Sequence, residues 1–290
     1  MKNLNKLHEN KDKTLNKSLL IVDLNNLIHK AIHVHPNLYA NYKGNNLYTG
    51  GFYGFINQLD AAIGRFDIDD VVICTDQPPY MRSMILKEYK MNRKPYHPEF
   101  KKKLTDTRNL IYEFANRANI TVWSKLGFEA DDLIYMTCSH YYNDYSKVVI
   151  LSNDKDLYQV FELGGNISLS IGRFLYDINH FNHEYNIPIS KWAWVSALSG
   201  GHNGIPGFNG IGEKKALSIC REIPNSFNSC DMPKFIQDNI YKIKLYYSLA
   251  KLPFFFEGIR CNFPKPKIKQ PTEESEKKAN ILLKKLNFTI

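Results

Sequence analysis

Seven carboxylates between residues 23 and 156 lie close to the ends of short apolar runs. They are Asp23, Asp76, Glu129, Asp131, Asp132, Asp154 and Asp156. In an open α/β sheet, sites form outside the carboxyl ends of the strands, so we expect these side chains to gather there. Clustered carboxylates repel one another unless a cation lies among them, and hard oxygen ligands favour Mg²⁺ or Mn²⁺. One such Asp alone would more often cap a helix, but the whole set predicts a metal site.

Four apolar runs predict the strands that position these acids. They are Leu19–Val22, Val71–Cys74, Ile120–Trp123 and Val148–Leu151. Helical patterns separate the runs, and one helix begins near Gly51 with Ile56, Leu59, Ala62 and Ile63 on one face. This alternation predicts an α/β core with a mostly parallel sheet over residues 18–175.

The composition suggests what the acidic site acts on. The 290 residues include 38 Lys and Arg against 29 Asp and Glu, which gives a net charge of +9. An acidic metal site inside a basic protein suggests a polyanionic substrate. The five cysteines have no CxxC spacing, which favours reduced thiols over a zinc site or a disulfide framework. No run reaches membrane-spanning length and no signal peptide is visible, so we expect a cytoplasmic protein without a membrane partner.

A basic segment follows Asp76 directly. Residues 82–103 carry eight Lys or Arg against two Glu, with Tyr89, Tyr96 and Phe100 interleaved. Cations bind phosphates and aromatic rings stack on unpaired bases, as in single-strand binding. A solvated helix face is the ordinary interpretation of such a charge run. The position directly after Asp76 instead favours a segment that overhangs the metal site and contacts substrate.

Residues 176–262 are predicted to be helical around a glycine-rich turn at 205–212. Gly207, Gly210 and Gly212 allow a tight turn that exposes backbone amides before a helix, where phosphates bind without sequence reading. Lys214 and Lys215 add attraction for phosphate. An ordinary loop between two helices is the alternative interpretation.

The two ends of the chain have distinct compositions. Residues 1–17 are polar without periodicity and predict a flexible leader. Residues 263–290 form a basic tail in which Thr272 is expected to cap a last amphipathic helix.

Several of these segments resemble, in order, motifs of the 5′-nucleases of the flap-endonuclease and polymerase-associated 5′–3′ exonuclease type. The matching segments are Ile21-Val22-Asp23, Tyr53-Gly54-Phe55, Glu88-Tyr89-Lys90-Met91-Asn92-Arg93, Gly127-Phe128-Glu129-Ala130-Asp131-Asp132 and Ser152-Asn153-Asp154-Lys155-Asp156-Leu157. The resemblance runs from about Leu19 to Cys220. It implies a Rossmann-like, PIN-related core with a basic helical arch at about 80–105 and a helix-hairpin-like DNA-binding module.

The resemblance also implies an activity and roles for individual residues. It implies metal-dependent hydrolysis of DNA near a 5′ flap, nick or free 5′ end, with an RNA primer as a further partner. Asp23, Asp76, Glu129 and Asp131 resemble the ligands of a first metal, and Asp132, Asp154 and Asp156 those of a second. Lys90 resembles the arch lysine that neutralises the scissile phosphate, and Arg93 its partner. Further DNA contacts are expected from Lys30, Arg82, Tyr89 and Lys94, and K⁺ is expected at the turn 205–212.

The chain departs from the family pattern just before that turn. The family carries Gly-Asp-x-x-Asp-Asn there, whereas this chain reads Ser199-Gly200-Gly201-His202-Asn203-Gly204. Both acids are missing, so we expect a weak second metal site that acids introduced at Gly200 and Asn203 would strengthen. A branched-DNA-binding protein with little nuclease activity and a PIN-like ribonuclease stay open as alternatives. A monomer is the default expectation.

Overall fold

The computed structural model describes residue 3 and residues 17–91, 94–200, 204–223, 233–256 and 263–288. The predicted leader lies almost entirely outside these residues, as do Arg93, His202 and Asn203. In the described part of the chain, no helix is both long and apolar enough to cross a membrane.

Within the described residues, eight strands form one large sheet and one hairpin. The strands are β1 Ser18–Asp23, β2 Tyr39–Tyr42, β3 Asn45–Tyr48, β4 Asp70–Cys74, β5 Thr121–Trp123, β6 Lys147–Leu151, β7 Ile167–Ile171 and β8 Phe174–Tyr176. The large sheet has the order β5-β4-β1-β6-β7-β8. Its strands are parallel except for the antiparallel pair β7 and β8. The predicted mostly parallel α/β core is confirmed.

The part of the chain that the structure describes also contains ten α-helices. They are α1 Leu24–Val34, α2 Gly50–Phe66, α3 Arg82–Ile85, α4 Pro98–Arg117, α5 Ala130–Tyr141, α6 Ile178–Tyr185, α7 Trp192–Ser199, α8 Glu213–Glu222, α9 Lys234–Ala250 and α10 Glu273–Lys285. Short 3₁₀ helices occupy Lys155–Glu162 and Ile189–Lys191. The predicted face of α2 is confirmed, since Ile56, Leu59, Ala62 and Ile63 are all buried.

The sheet separates two apolar cores. Along β1, Leu19 and Ile21 face one core while Leu20 and Val22 face the other, because successive strand side chains alternate. The first core, here called the front core, includes α5, the 3₁₀ helix Lys155–Glu162 and helices α6 to α9. The second, the back core, includes α1, α2, α4 and α10.

The last helix begins as predicted. The Oγ1 atom of Thr272 accepts a hydrogen bond from the Ser275 amide at 3.2 Å, which caps α10. Leu282 and Leu283 are buried in the back core, so α10 packs against the same face of the sheet as α1, α2 and α4.

Candidate active site

The strand register brings the acids to one edge of the sheet. Asp23 at the end of β1 lies opposite Cys74 of β4, and Val22 lies opposite Leu151 of β6. Asp76 and Asp154 follow these partner strands by two and three residues. The parallel pairing therefore gathers three separate chain segments at the same edge.

Asp23 is both a helix cap and a member of the site. One carboxylate oxygen, Oδ1, accepts from the Asn26 amide at 3.1 Å, which caps α1. The other, Oδ2, accepts from the hydroxyl of Ser152 at 2.8 Å. These bonds fix the carboxylate, which is 4% exposed.

Asp76 connects the end of β4 to the start of α5. Its Oδ1 accepts from the Ala130 amide at 2.7 Å, and its Oδ2 accepts from the Tyr80 hydroxyl at 2.8 Å. The hydrogen bond from the Ala130 amide orients Asp76 toward the segment that also carries Glu129 and Asp131.

Glu129 contacts side chains of the basic segment 82–103. It accepts hydrogen bonds from the Tyr89 hydroxyl at 3.0 Å and from the Lys90 ammonium. The Lys90 ammonium also lies 4.6 Å from the centre of the Tyr80 ring. The Lys90 backbone has φ +60°, and the backbone of Gly204 packs directly against it.

Asp154 and Asp156 belong to the start of the 3₁₀ helix after β6. Asp154 caps this helix by accepting from the Asp156 amide at 3.0 Å. Asp156 in turn accepts from the Ser196 hydroxyl of α7 at 3.3 Å.

The structure corrects the roles expected for Asp132 and Arg82. Asp132 is completely buried and accepts from both terminal nitrogens of Arg82, at 2.6 and 2.8 Å, and from the Phe254 amide at 2.7 Å. Arg82 also donates through Nε to the Leu249 carbonyl at 2.9 Å and is 3% exposed. The ion pair therefore joins α3 and α5 to the end of α9. Asp132 is not placed to bind a metal, and Arg82 is not placed to contact DNA.

Tyr89 also differs from its expected role. Its side chain is 4% exposed and belongs to the front core, and its hydroxyl is bonded to Glu129. The ring has no open face on which a base could stack, so in this structure it positions Glu129 instead.

Burial raises the pKa values of three acids of the site, Asp23, Asp131 and Asp156. Burial is the main cause for Asp23, whose pKa rises from 3.8 to about 7, with further contributions from the charges of Asp154 and Asp76. The pKa of Asp156 also rises to about 7, through burial and then the charge of Asp154. Burial raises the pKa of Asp131 well above its usual range, and Asp154 and Asp23 add to the effect. The acids therefore lie close enough to oppose one another's ionisation.

A cavity of about 860 Å³ opens at this edge. Its acidic lining residues are Asp23, Asp76, Glu129, Asp131 and Asp154, and its cationic ones are Lys30, Lys90, Lys94, Lys101 and Arg108. The structure thus places five of the seven predicted acids on one cavity, together with the predicted Lys30, Lys90 and Lys94. Asp156 does not line the cavity, and its backbone amide donates a hydrogen bond to Asp154.

Sequence reasoning missed two lining residues that make specific contacts, Tyr80 and Arg108. The Tyr80 hydroxyl donates a hydrogen bond to Asp76, and the Arg108 guanidinium donates one to the Asn25 side-chain oxygen at 2.8 Å. A signal for Arg108 was present, since Lys101, Leu104, Thr105 and Arg108 have the i, i+3, i+4, i+7 spacing of one helix face. All four line the cavity.

The donor set suits a hard divalent cation. Burial and, after it, the charges of neighbouring acids raise the pKa values of Asp23 and Asp131, and a bound Mg²⁺ or Mn²⁺ would favour their ionised forms. Among the described residues, no three His, Cys, Asp or Glu side chains already converge in the geometry of a metal site.

The glycine-rich turn has a packed half and an exposed half. Gly207 has φ +66°, and a Cβ there would lie 2.3 Å from the Gly200 amide nitrogen. Gly210 and Gly212 are exposed, as are Lys214 and Lys215 in the first turn of α8. The turn does not line the acidic cavity, so it offers a separate surface beside it.

The sequence profile of the family described as "5′–3′ exonuclease, N-terminal resolvase-like domain" matches residues 18–186. The chain belongs to this family. A 5′–3′ exonuclease of Bacillus subtilis is 30% identical over 216 residues, which cover 71% of this chain and 71% of that protein. A DNA polymerase I of Caldicellulosiruptor bescii is 28% identical over 212 residues, and this chain spans 24% of its length.

A solved structure supports the same fold. The flap endonuclease of bacteriophage T5, solved with DNA and metal ions, matches with a TM-score of 0.66. The match covers 93% of this chain and 100% of that one, at 19% identity. The similarity shows that this chain shares the fold of that protein.

Proposed function

We propose that this protein is a metal-dependent 5′-nuclease, with flap-endonuclease and 5′–3′ exonuclease activity, that hydrolyses DNA phosphodiesters near a 5′ end. The observation that carries the proposal is the single cavity in which five carboxylates face five cationic side chains. Membership of the 5′–3′ exonuclease family supports the reaction class. The DNA and metal ions in the structure of the bacteriophage T5 flap endonuclease support the substrate class and the cofactor.

Asp23, Asp76, Glu129 and Asp131 would hold a first divalent ion. Asp154, with Asp156 behind it, would contribute to a second. Such ions activate an attacking water and stabilise the leaving oxygen in phosphodiester hydrolysis. Ser152 and the Asn26 amide hold the carboxylate of Asp23 in place for this role.

Lys90 is the side chain best placed to meet the scissile phosphate. It lines the cavity, lies near the Tyr80 ring and donates to Glu129, and it would be released if that carboxylate held a metal ion. A cation released at that moment neutralises charge on the phosphate as it reacts. Arg93 would be its partner, although it lies outside the described residues.

The remaining parts of the proposal concern the wider substrate. The exposed turn with Gly210, Gly212, Lys214 and Lys215 would bind the phosphates of the duplex, with K⁺ at the turn 205–212. The 5′ strand would be DNA or an RNA primer, and the protein would act as a monomer in the cytoplasm. Size-exclusion chromatography with light scattering tests the oligomeric state.

A 5′-flap assay tests the function. DNA labelled at both ends of the flap strand, incubated with Mg²⁺ or Mn²⁺, should release the flap or short 5′ fragments, while a 3′ flap should persist. The Asp131→Asn variant should abolish cleavage yet keep DNA affinity, because it removes a metal ligand and a negative charge beside phosphates. Asp144→Asn is the matched control, since Asp144 is exposed and paired with Lys265.

Two results would contradict the proposal. Tight flap binding by folded wild-type protein without cleavage in either metal would favour the branched-DNA-binding alternative. Faster cleavage of a single-stranded RNA of the same sequence would favour the PIN-like ribonuclease.

A further inference from the structure

Arg108 is a cavity-lining cation with unused hydrogen-bonding capacity. It lies on α4, and one terminal nitrogen donates to the Asn25 side-chain oxygen at 2.8 Å. Its Nε atom is buried and has no hydrogen-bond partner in the described part of the chain. A buried donor left unpaired is unfavourable, so the side chain gains from a shift that gives Nε an acceptor. The residue is half-buried and lines the cavity, so an incoming anion can reach its guanidinium from that side.

The charge of Arg108 is also uncompensated. In the described part of the chain it forms no ion pair with a carboxylate, whereas Arg117 on the same helix pairs with Glu113 at 2.8 Å. Two carboxylates of the cavity have other partners, Ser152 for Asp23 and Tyr80 for Asp76, and none of the five forms an ion pair with Arg108 in the described part of the chain. An external anion is therefore the remaining partner for this guanidinium.

The surroundings select the kind of anion. Asn25 is the second residue of α1 and lies two residues after Asp23, so the subsite adjoins the carboxylate edge. Lys30 and Lys101 line the same cavity and add positive charge. The fork of an arginine matches the paired oxygens of a phosphate, and a polynucleotide presents such groups at a regular spacing.

We infer that Arg108, held by Asn25, forms a phosphate subsite beside the metal-binding carboxylates. This inference rests on the proposed function and deepens it. The subsite binds a phosphate of the strand being cut, next to the scissile one, and so fixes where along the strand cleavage occurs. No identified motif of the sequence contains Arg108.

The experiment measures DNA affinity without chemistry. Binding of a 5′-flap DNA is followed by fluorescence anisotropy in EDTA across a range of salt concentrations. The variants are Arg108→Met, Arg108→Lys and the matched control Arg117→Met, each checked for folding by thermal unfolding. Cleavage of the same DNA in Mn²⁺ is measured in parallel.

The salt dependence separates a phosphate contact from a structural role. Arg108→Met should weaken binding by about tenfold and reduce the slope of log affinity against log salt by about 0.7 to 0.9. Arg108→Lys should keep the slope but bind less tightly than wild type, since it keeps the charge and loses the fork. Arg117→Met should match wild type in both. An unchanged slope and affinity in folded Arg108→Met would overturn the inference.

Modified DNA identifies the phosphate. A single neutral methylphosphonate is moved along the flap strand, and the position at which wild type falls to the affinity of Arg108→Met marks the contact. Comparing a 5′-phosphate with a 5′-hydroxyl end tests the terminal group as the source. If every methylphosphonate position weakens both proteins equally, the subsite does not exist. Failure of wild type to bind or cut the flap would instead contradict the proposed function itself.

Discussion

The ammonium of Lys90 donates a hydrogen bond to Glu129, so the cation expected to meet the scissile phosphate is bound by a carboxylate expected to hold a metal. The two rings of Tyr80 and Tyr89 flank the same ammonium, at 4.6 and 5.5 Å. Lys90 therefore supplies positive charge to Glu129, in addition to Arg82, whose Nη1 lies 3.7 Å from the other carboxylate oxygen. Metal binding and release of Lys90 are therefore expected to be linked.

Replacing Lys90 by Met tests this linkage. Without the lysine, the Oε1 atom of Glu129 loses its partner while Oε2 keeps Tyr89 and Arg82, so affinity for Mn²⁺ in the DNA-free protein should rise by several-fold, measured by calorimetry. The cleavage rate should nevertheless fall by about 10² or more, because the phosphate loses its cation in the transition state. DNA affinity should change much less. Weaker Mn²⁺ binding in this variant would show that Lys90 supports the metal site.

The raised pKa values of Asp23 and Asp156 predict how stability depends on pH. An unfolded carboxyl ionises near 3.8 and these folded ones near 7, so the folded protein holds protons that the unfolded chain has lost. Stability in EDTA should therefore fall as pH rises from about 4 through 7. Saturating Mn²⁺ should remove this fall, because the ion replaces the protons. Unfolding temperatures at pH 5 and pH 8 measure the effect.

The control for that experiment is the double variant Asp23→Asn, Asp156→Asn. It lacks both titrating groups and should be less sensitive to pH over the same range. An identical pH dependence in wild type and double variant would assign the effect to other groups.

The ion pair of Arg82 and Asp132 should behave as a structural unit. Arg82→Met leaves a completely buried carboxylate without its partner, which typically costs about 3–5 kcal/mol of stability. The double variant Arg82→Met, Asp132→Leu should lose less than the sum of the two single losses, as urea unfolding would show. Additive losses would mean that the two side chains do not stabilise each other. If the DNA affinity of folded Arg82→Met depended less steeply on salt concentration than that of wild type, Arg82 would contact DNA despite its burial.

The segment before the glycine-rich turn predicts an asymmetric metal site. Mn²⁺ titration of the DNA-free protein should show one tight site and a second that is weak, because affinity follows the number and charge of the ligands. Two equally tight sites would contradict the depleted second site. The structure also revises how that site could be strengthened. Gly200 has φ +72°, and a Cβ there would lie 2.9 to 3.0 Å from backbone atoms of Ile205 and Pro206. Gly200→Asp should therefore lower the unfolding temperature without tightening the second ion.

Local patterns in the sequence predicted the elements that carry the site. Some features depend only on neighbours within a few residues. They are the strands that end at Asp23 and just before Asp76, the buried face of α2 and the Thr272 cap. For this reason a single sequence contains enough information to place them. The gathering of the acids followed from one topological rule about parallel sheets.

The errors concern side chains whose partners are distant in the sequence. Asp131 and Asp132 are adjacent, but on a helix their side chains point about 100° apart. One faces the cavity and the other meets Arg82 and the Phe254 amide, which lies 122 residues away. No local pattern distinguishes the two acids. Tyr89 was misassigned for the same reason, since only the folded chain places its ring in the front core.

The front core has a consequence for how the chain can be divided. Residues of β1 and α5 share this core with Ile243 and Leu249 of α9, well beyond the 186 at which the family match ends. A fragment cut at that point would expose the apolar faces of α5 and of the 3₁₀ helix that follows β6, and would remove the carbonyl that orients Arg82. The boundary that sequence similarity draws is therefore not a folding boundary. The carboxylate edge of the sheet and helices α6 to α9 are therefore expected to unfold together, since they share one apolar core.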